Sequence, residues 1–190
     1  MDVNDLKELY AEARKRMDGQ VEHVRREMAG VRTGRASTGL LENIMVEAYG
    51  AKLPLNQVAT LSIPESSLIL AQPFDPGIIA SLEKAIRMSG LGLNPASDGK
   101  VIRIQIPSLT DERRKELSKH VHKHAEEGRN HVRTVRRDAN DRLKKMLKDS
   151  LVSEDDEQRG LDEVQKITDA EIAGIDALQH RKDDELLKKH

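Results

Sequence analysis

Val132-Arg133-Thr134-Val135-Arg136-Arg137-Asp138-Ala139-Asn140-Asp141 lies midway along a stretch, about 110–150, that reads as one long helix. At about 100° per residue with Val132 at zero, one apolar stripe falls within roughly 60° of zero. It comprises Leu117, Val121, Ala125, Gly128, Val135, Ala139, Leu143 and Met146. Arg136, Arg129, Asn140, Arg133, Lys144 and Arg137 follow between roughly +40° and +140°. Asp138 and Asp141 point away from that arc. The helix therefore carries a buried seam and, beside it, a ridge made mostly of arginine. A guanidinium is a planar fork of donors that suits phosphate, so a one-sided ridge fits a reader of nucleic-acid backbone. The competing reading is a solvated face with intrahelical ion pairs.

Composition narrows the choice. Charged residues make up 34% of the 190-residue chain and hydrophobic ones 37%, which suits elongated helices better than a compact sphere. The net charge of −1 excludes a general polyanion binder, so any nucleic-acid contact comes from a local patch. Tyr10, Tyr49 and Phe74 are the whole aromatic content. That argues against base-stacking platforms and for phosphate and sugar contacts on structured RNA. Without cysteine, disulfides, thiolate metal sites and cysteine nucleophiles are excluded. The acidic N-terminus lacks the apolar core of a signal peptide, and no run approaches a membrane span.

Residues 3–31 read as a helix. Val3, Leu6, Tyr10, Ala13, Met17, Val21, Val24, Met28 and Val31 recur every three or four positions, close to a heptad. Residues 32–40, rich in glycine and hydroxyl side chains, break the pattern. From 43 to 106 charges thin out, and all six prolines lie between Pro54 and Pro107. Strands are expected at 44–49, 58–63, 68–72 and 101–106, with turns at 49–52 and 97–100. Between them Asp75 caps a helix that starts at Pro76 and stops before Gly90. Ser153 caps a third long helix, with the acidic run 154–157 in its first turn. Its core face is Leu161, Val164, Ile172, Ile175, Leu178 and Leu186.

The predicted fold is α+β: an elongated antiparallel three-helix bundle, 1–31 and 107–190, with a small β/α/β domain, 32–106, inserted after the first helix. Two short links rich in glycine, serine and proline join them and predict a hinge at Thr33, Gly34, Ile106 and Pro107.

Enzyme signatures are missing. There is no P-loop, nucleophile elbow or zinc-protease motif. Gly90-Leu91-Gly92 follows a helix, the wrong context for a dinucleotide site. His120 and His124 are one turn apart, but His122 points elsewhere and no third metal ligand is evident. Residues 155–160 faintly resemble a calcium loop, with Arg159 where an oxygen ligand is needed. No metal and no cofactor are expected. Arg32 and Arg35 are either solvated hinge residues or an extension of the ridge. A hinged adaptor that binds only proteins is the rival reading. A hydrolase or transferase would need a nucleophile–base pair that the sequence does not offer.

Five blocks then stand in order: Val31-Arg32-Thr33-Gly34-Arg35-Ala36, Gly90-Leu91-Gly92-Leu93-Asn94-Pro95, Leu109-Thr110-Asp111-Glu112-Arg113-Arg114-Lys115, Val132 through Asp141, and Ser153-Glu154-Asp155-Asp156. With these, the chain closely resembles the bacterial ribosome recycling factor family over nearly its full length. The resemblance implies an L-shaped protein of transfer-RNA-like outline. It implies a bundle that binds large-subunit ribosomal RNA, and a small domain that swings when elongation factor G pushes it. GTP hydrolysis would belong to that partner. The expected outcome is dissociation of the post-termination ribosome into subunits by a cytoplasmic, monomeric, membrane-free factor. By matching position, Arg133, Arg136 and Arg137 are implied RNA contacts, joined by Arg32 and Arg35; Arg129 and Lys144 come from the helical wheel alone. The histidines at 120, 122 and 124 depart from the lysines expected there, which points to pH-sensitive binding.

Overall fold

The computed structural model describes residues 3–187. Two compact units are present. One is built from the chain up to Val31 and from Asp111 onward; the other is Arg32–Thr110.

The first unit is three long helices, α1 (Val3–Ala29), α4 (Asp111–Lys148) and α5 (Glu154–Leu187). Cross-helix pairs set their directions. Glu12 meets Arg142 and Arg16 meets Asp138, so α1 and α4 are antiparallel; Arg129 meets Asp176 and His122 meets Asp183, so α5 reverses again. On α4 the expected stripe is buried from Leu117 to Leu143, and only Met146 is half-exposed. On α1 the buried set is Leu9, Ala13, Met17, Val21, Val24 and Met28. Leu9 was not expected, while Leu6, Tyr10 and Val31 are only half-buried. The side chain of Val3 lies outside the described residues. On α5 the core positions are Gly160, Val164, Ile167, Thr168, Ile175 and Leu186, with Leu161, Ile172 and Leu178 at the border. Thr168 is tolerated because its hydroxyl donates to the Val164 carbonyl at 2.8 Å.

Gly128 marks a close approach in the bundle. A Cβ there would stand 2.3 Å from Val24 Cγ2 and 3.3 Å from Ile175 Cδ1. The missing side chain lets α1 and α5 both close on α4. Ser153 caps α5 as expected, its hydroxyl accepting from the Asp156 N–H at 3.1 Å. α4 ends with Ser150 at φ 57 and the Leu151 N–H bonded to the Met146 carbonyl, a Schellman closure made without glycine.

The second unit has a hairpin, β1 (Met45–Ala48) with β2 (Ala51–Pro54), and a one-turn helix α2 (Leu55–Val58). A four-stranded antiparallel sheet runs in the order β3 (Ala59–Glu65), β4 (Leu68–Pro73), β6 (Ile102–Gln105), β5 (Pro95–Ser97). Helix α3 (Ile79–Arg87) follows a 3₁₀ turn at Pro76–Ile78, with Asp75 accepting from the Gly77 N–H at 2.8 Å. Val46, Ile69, Leu82, Ile86, Ile102 and Ile104 centre its core. The predicted turn at 49–52 is tighter than expected. Tyr49 and Gly50, both at positive φ, suffice, which frees Ala51 and Lys52 to pair with Ala48 and Glu47. β5 was missed because it is three residues long and begins with proline, tolerable only on the edge that it occupies.

Gly128→Ala should overpack the bundle at a cost of about 1–3 kcal/mol, against a gain of up to about 1 kcal/mol in helix propensity. The net loss would show as a lower denaturant midpoint. Gly19, with nothing within 4 Å of its ideal Cβ, is the control: Gly19→Ala should gain about 0.5–1 kcal/mol. Burial, then the adjoining Asp18, pushes the Glu171 carboxyl up to about 7, with Arg14 opposing. Between its ordinary value and pH 7 the folded chain keeps a proton that the unfolded chain has released. Stability from this group is therefore lost as pH rises through that window. Glu171→Gln should raise the melting temperature at pH 8 and leave it nearly unchanged at pH 5.

Candidate nucleic-acid interface

The setting of α4 decides which side chains reach solvent. Its seam faces inward. On one flank Asp138 accepts from Arg16 at 2.8 Å and Arg142 from α4 donates to Glu12 at 2.5 Å, both toward α1. On the other flank Arg129 donates to Asp176 at 2.6 Å and Gln179 at 3.1 Å, toward α5. The outer arc between the flanks carries Arg133, Arg137 and Lys144, with Arg136 at its α5 border.

The predicted ridge is continuous, but its members are not equivalent. Arg129 has a side chain only 16% exposed, held by Asp176 and by Glu126 at 2.9 Å. It braces the bundle and reaches a ligand only by leaving both carboxylates. Arg133 is shared, lying 3.3 Å from Glu126 and 3.1 Å from the Asn130 oxygen. Arg129 first, then Arg133, hold the Glu126 carboxyl below its ordinary range. Among the described residues the one hydrogen bond from the Arg136 side chain goes to the neutral Gln165 oxygen, at 3.4 Å, and that from Arg137 to the Thr134 hydroxyl, at 3.1 Å. Among the described residues Arg136, Arg137 and Lys144 make no ion pair. Uncompensated charge on a rigid helix is what phosphate binding requires.

Arg32 and Arg35 belong to the other compact unit. Arg32 donates to the Leu91 carbonyl at 3.2 Å and Arg35 is half-buried. Of the hinge candidates, Gly34 sits at φ 74, and a Cβ there would stand 3.1 Å from Leu109 Cγ. Thr33 is half-buried and Pro107 exposed. Ile106 is buried, its N–H bonded to the Ser67 carbonyl at 2.8 Å.

The three histidines do not converge. His122 lies 2.7 Å from Asp183, which also accepts from Ser118 at 2.9 Å; His124 is 4.0 Å from both Glu27 and Glu127. The aspartate stands between serine and histidine, so the trio lacks the hydroxyl–imidazole bond of an acyl-transfer triad. Among the described residues no three potential ligands group around a metal position. No helix is long and apolar enough to cross a membrane. Sequence reading missed Asp183, Asp176 and Gln165 as partners, because only the register of α5 against α4 brings them there.

A three-helix bundle with one cationic face, and a small α+β unit inserted between its first two helices, define a two-unit protein of the α+β class. Comparisons make that specific. A family model for ribosome recycling factor matches residues 24–187. The ribosome-recycling factor of Syntrophomonas wolfei is 48% identical over 96% of this chain and 99% of its own length. That of Rhodospirillum centenum is 52% identical over 92% and 94%. A solution structure of the ribosome recycling factor aligns with TM-score 0.77 at 42% identity, covering 98% of this chain and 99% of the other. The T. thermophilus factor, in models with E. coli elongation factor G bound to the E. coli post-termination complex, aligns with TM-score 0.64 at 48% identity over 96% and 99%. The chain belongs to the ribosome recycling factor family.

If Arg129 braces the bundle, Arg129→Ala should lower stability by about 0.5–1.5 kcal/mol, since its partners are half-exposed. Arg137→Ala should leave it within about 0.5 kcal/mol. Thermal denaturation of both variants makes the comparison.

Proposed function

We propose that this chain recycles ribosomes: it binds the post-termination ribosome and, with elongation factor G and GTP, promotes separation of the subunits and release of messenger RNA. Family membership supports the activity. The single structural observation that carries the mechanism is the outer arc of α4, where Arg136, Arg137 and Lys144 have no carboxylate partner among the described residues.

On this reading the rod is the anchor. Arg133, Arg136, Arg137 and Lys144 grip ribosomal RNA of the large subunit through its phosphates, with Arg129 beneath them and Arg32 and Arg35 contributing from the small unit. The small unit is the lever. Its motion is taken up at Thr33, Gly34 and Pro107, with Ile106 as the point where the second link is fastened to the sheet. The chain contributes binding and geometry, while the GTPase partner supplies the work. The place of action is the cytoplasm.

The test is sedimentation of post-termination ribosomes incubated with elongation factor G, GTP and this protein, scoring free subunits. Wild type should release them. Arg136→Ala combined with Arg137→Ala should slow release by about tenfold or more, since each charge-assisted contact contributes about 1.5–3 kcal/mol. Full activity in that variant would refute the anchor.

A further inference from the structure

We propose that Asn140 is a positioning residue of the α4 ridge: its side-chain carbonyl is the inner acceptor onto which the Arg136 guanidinium turns when phosphate occupies the ridge. The inference rests on the RNA-gripping reading of α4 and adds to it the device that aims one of the gripping groups.

Asn140 is the only uncharged member of the ridge, at about +80° on the helix, near its centre. It is half-buried, and its Oδ1 is closed to solvent with no hydrogen-bond partner among the described residues. A buried acceptor left unpaired is costly, and a native chain normally satisfies it. The polar side chains one turn away are Arg136, Arg137 and Lys144, all pure donors, the fourth neighbour being the buried Leu143. Arg137 is directed at Thr134. Arg136 has a single long contact, 3.4 Å, to Gln165, whose amide is itself donated to Asp169 at 2.7 Å. Arg136 is thus loosely held on the α5 border, at about +40°, with an empty acceptor on its outward side at about +80°.

Turning from Gln165 to Asn140 carries the guanidinium away from α5 and along the ridge, from about +40° to about +80°. One edge of its fork then meets the amide carbonyl, and the other stays available for a phosphate oxygen. A neutral acceptor suits the task. A carboxylate at the same place would hold the guanidinium equally well but cancel the charge that the phosphate needs.

The experiment is a double-mutant cycle on affinity for isolated large ribosomal subunits, at one salt concentration, with wild type, N140A, R136A and the double variant. Asn140→Ala should weaken binding about fivefold, yet add almost nothing once Arg136 is already alanine. Asn140→Leu, which fills the space without an acceptor, should behave alike, and neither should lower the melting temperature. A loss from N140A that persists in full beside R136A, or one that disappears in a K144A background instead, overturns the assignment. Unchanged affinity in N140A also overturns it while R136A still weakens binding. If R136A itself binds as wild type does, the grip reading has failed.

Discussion

The rotational setting of α4 is the constraint from which the rest follows. Gly128 admits Val24 from α1 and Ile175 from α5 to one level of the seam. Exposed ion pairs such as Arg16–Asp138 and Glu12–Arg142 contribute only about 0.2–1 kcal/mol each, too little to fix a 38-residue helix. The apolar seam fixes it, and the pairs select the register. With the seam inward, two α4 charges are turned to α1, Arg129 is turned to α5, and a cationic arc remains outside. The exposed cationic arc is what is left over once the bundle's own demands are met.

That partition explains why a chain of net charge −1 can present a cationic surface. Six acidic residues stand in the first turns of α4 and α5, and Glu12, Asp138, Asp176 and Asp183 sit across the helix contacts. Arg136, Arg137 and Lys144 repel one another, and among the described residues no carboxylate pairs with them. Such local charge is stable only because the helix beneath it is held by packing, which charge repulsion on its outer side barely disturbs. The same logic places Asn140 among them, an acceptor that organises a guanidinium without neutralising it.

The wheel drawn from Val132 predicted the seam of α4 almost residue for residue, because periodicity alone decides which side of a helix is greasy. It also predicted the turning of Asp138 away from the arginines. Its reading of the ridge was coarser. Arg129 and Arg137 look alike in the sequence, yet one is locked to Asp176 and the other is exposed, since the difference lies in the register of α5. Leu9 escaped because the near-heptad frame chosen for α1 skipped it, and Ile167 was left out of the face read for α5. In the small unit the edge strands β2 and β5 were obscured by lysine and proline, residues that edges accept and central strands do not. The outcome for the histidines is similar: their spacing is visible, but Asp183, which holds His122, comes from 61 residues away.

The account stands on phosphate contacts made by the outer arc of α4, and the salt dependence of binding reads them most directly. Affinity for the large ribosomal subunit, measured across potassium chloride concentrations, should fall steeply in a double-logarithmic plot. Removing Arg133, Arg136, Arg137 and Lys144 together should flatten that slope by about three to four units. An unaltered slope in the fourfold variant would mean that the chain holds the ribosome elsewhere, and would contradict the account.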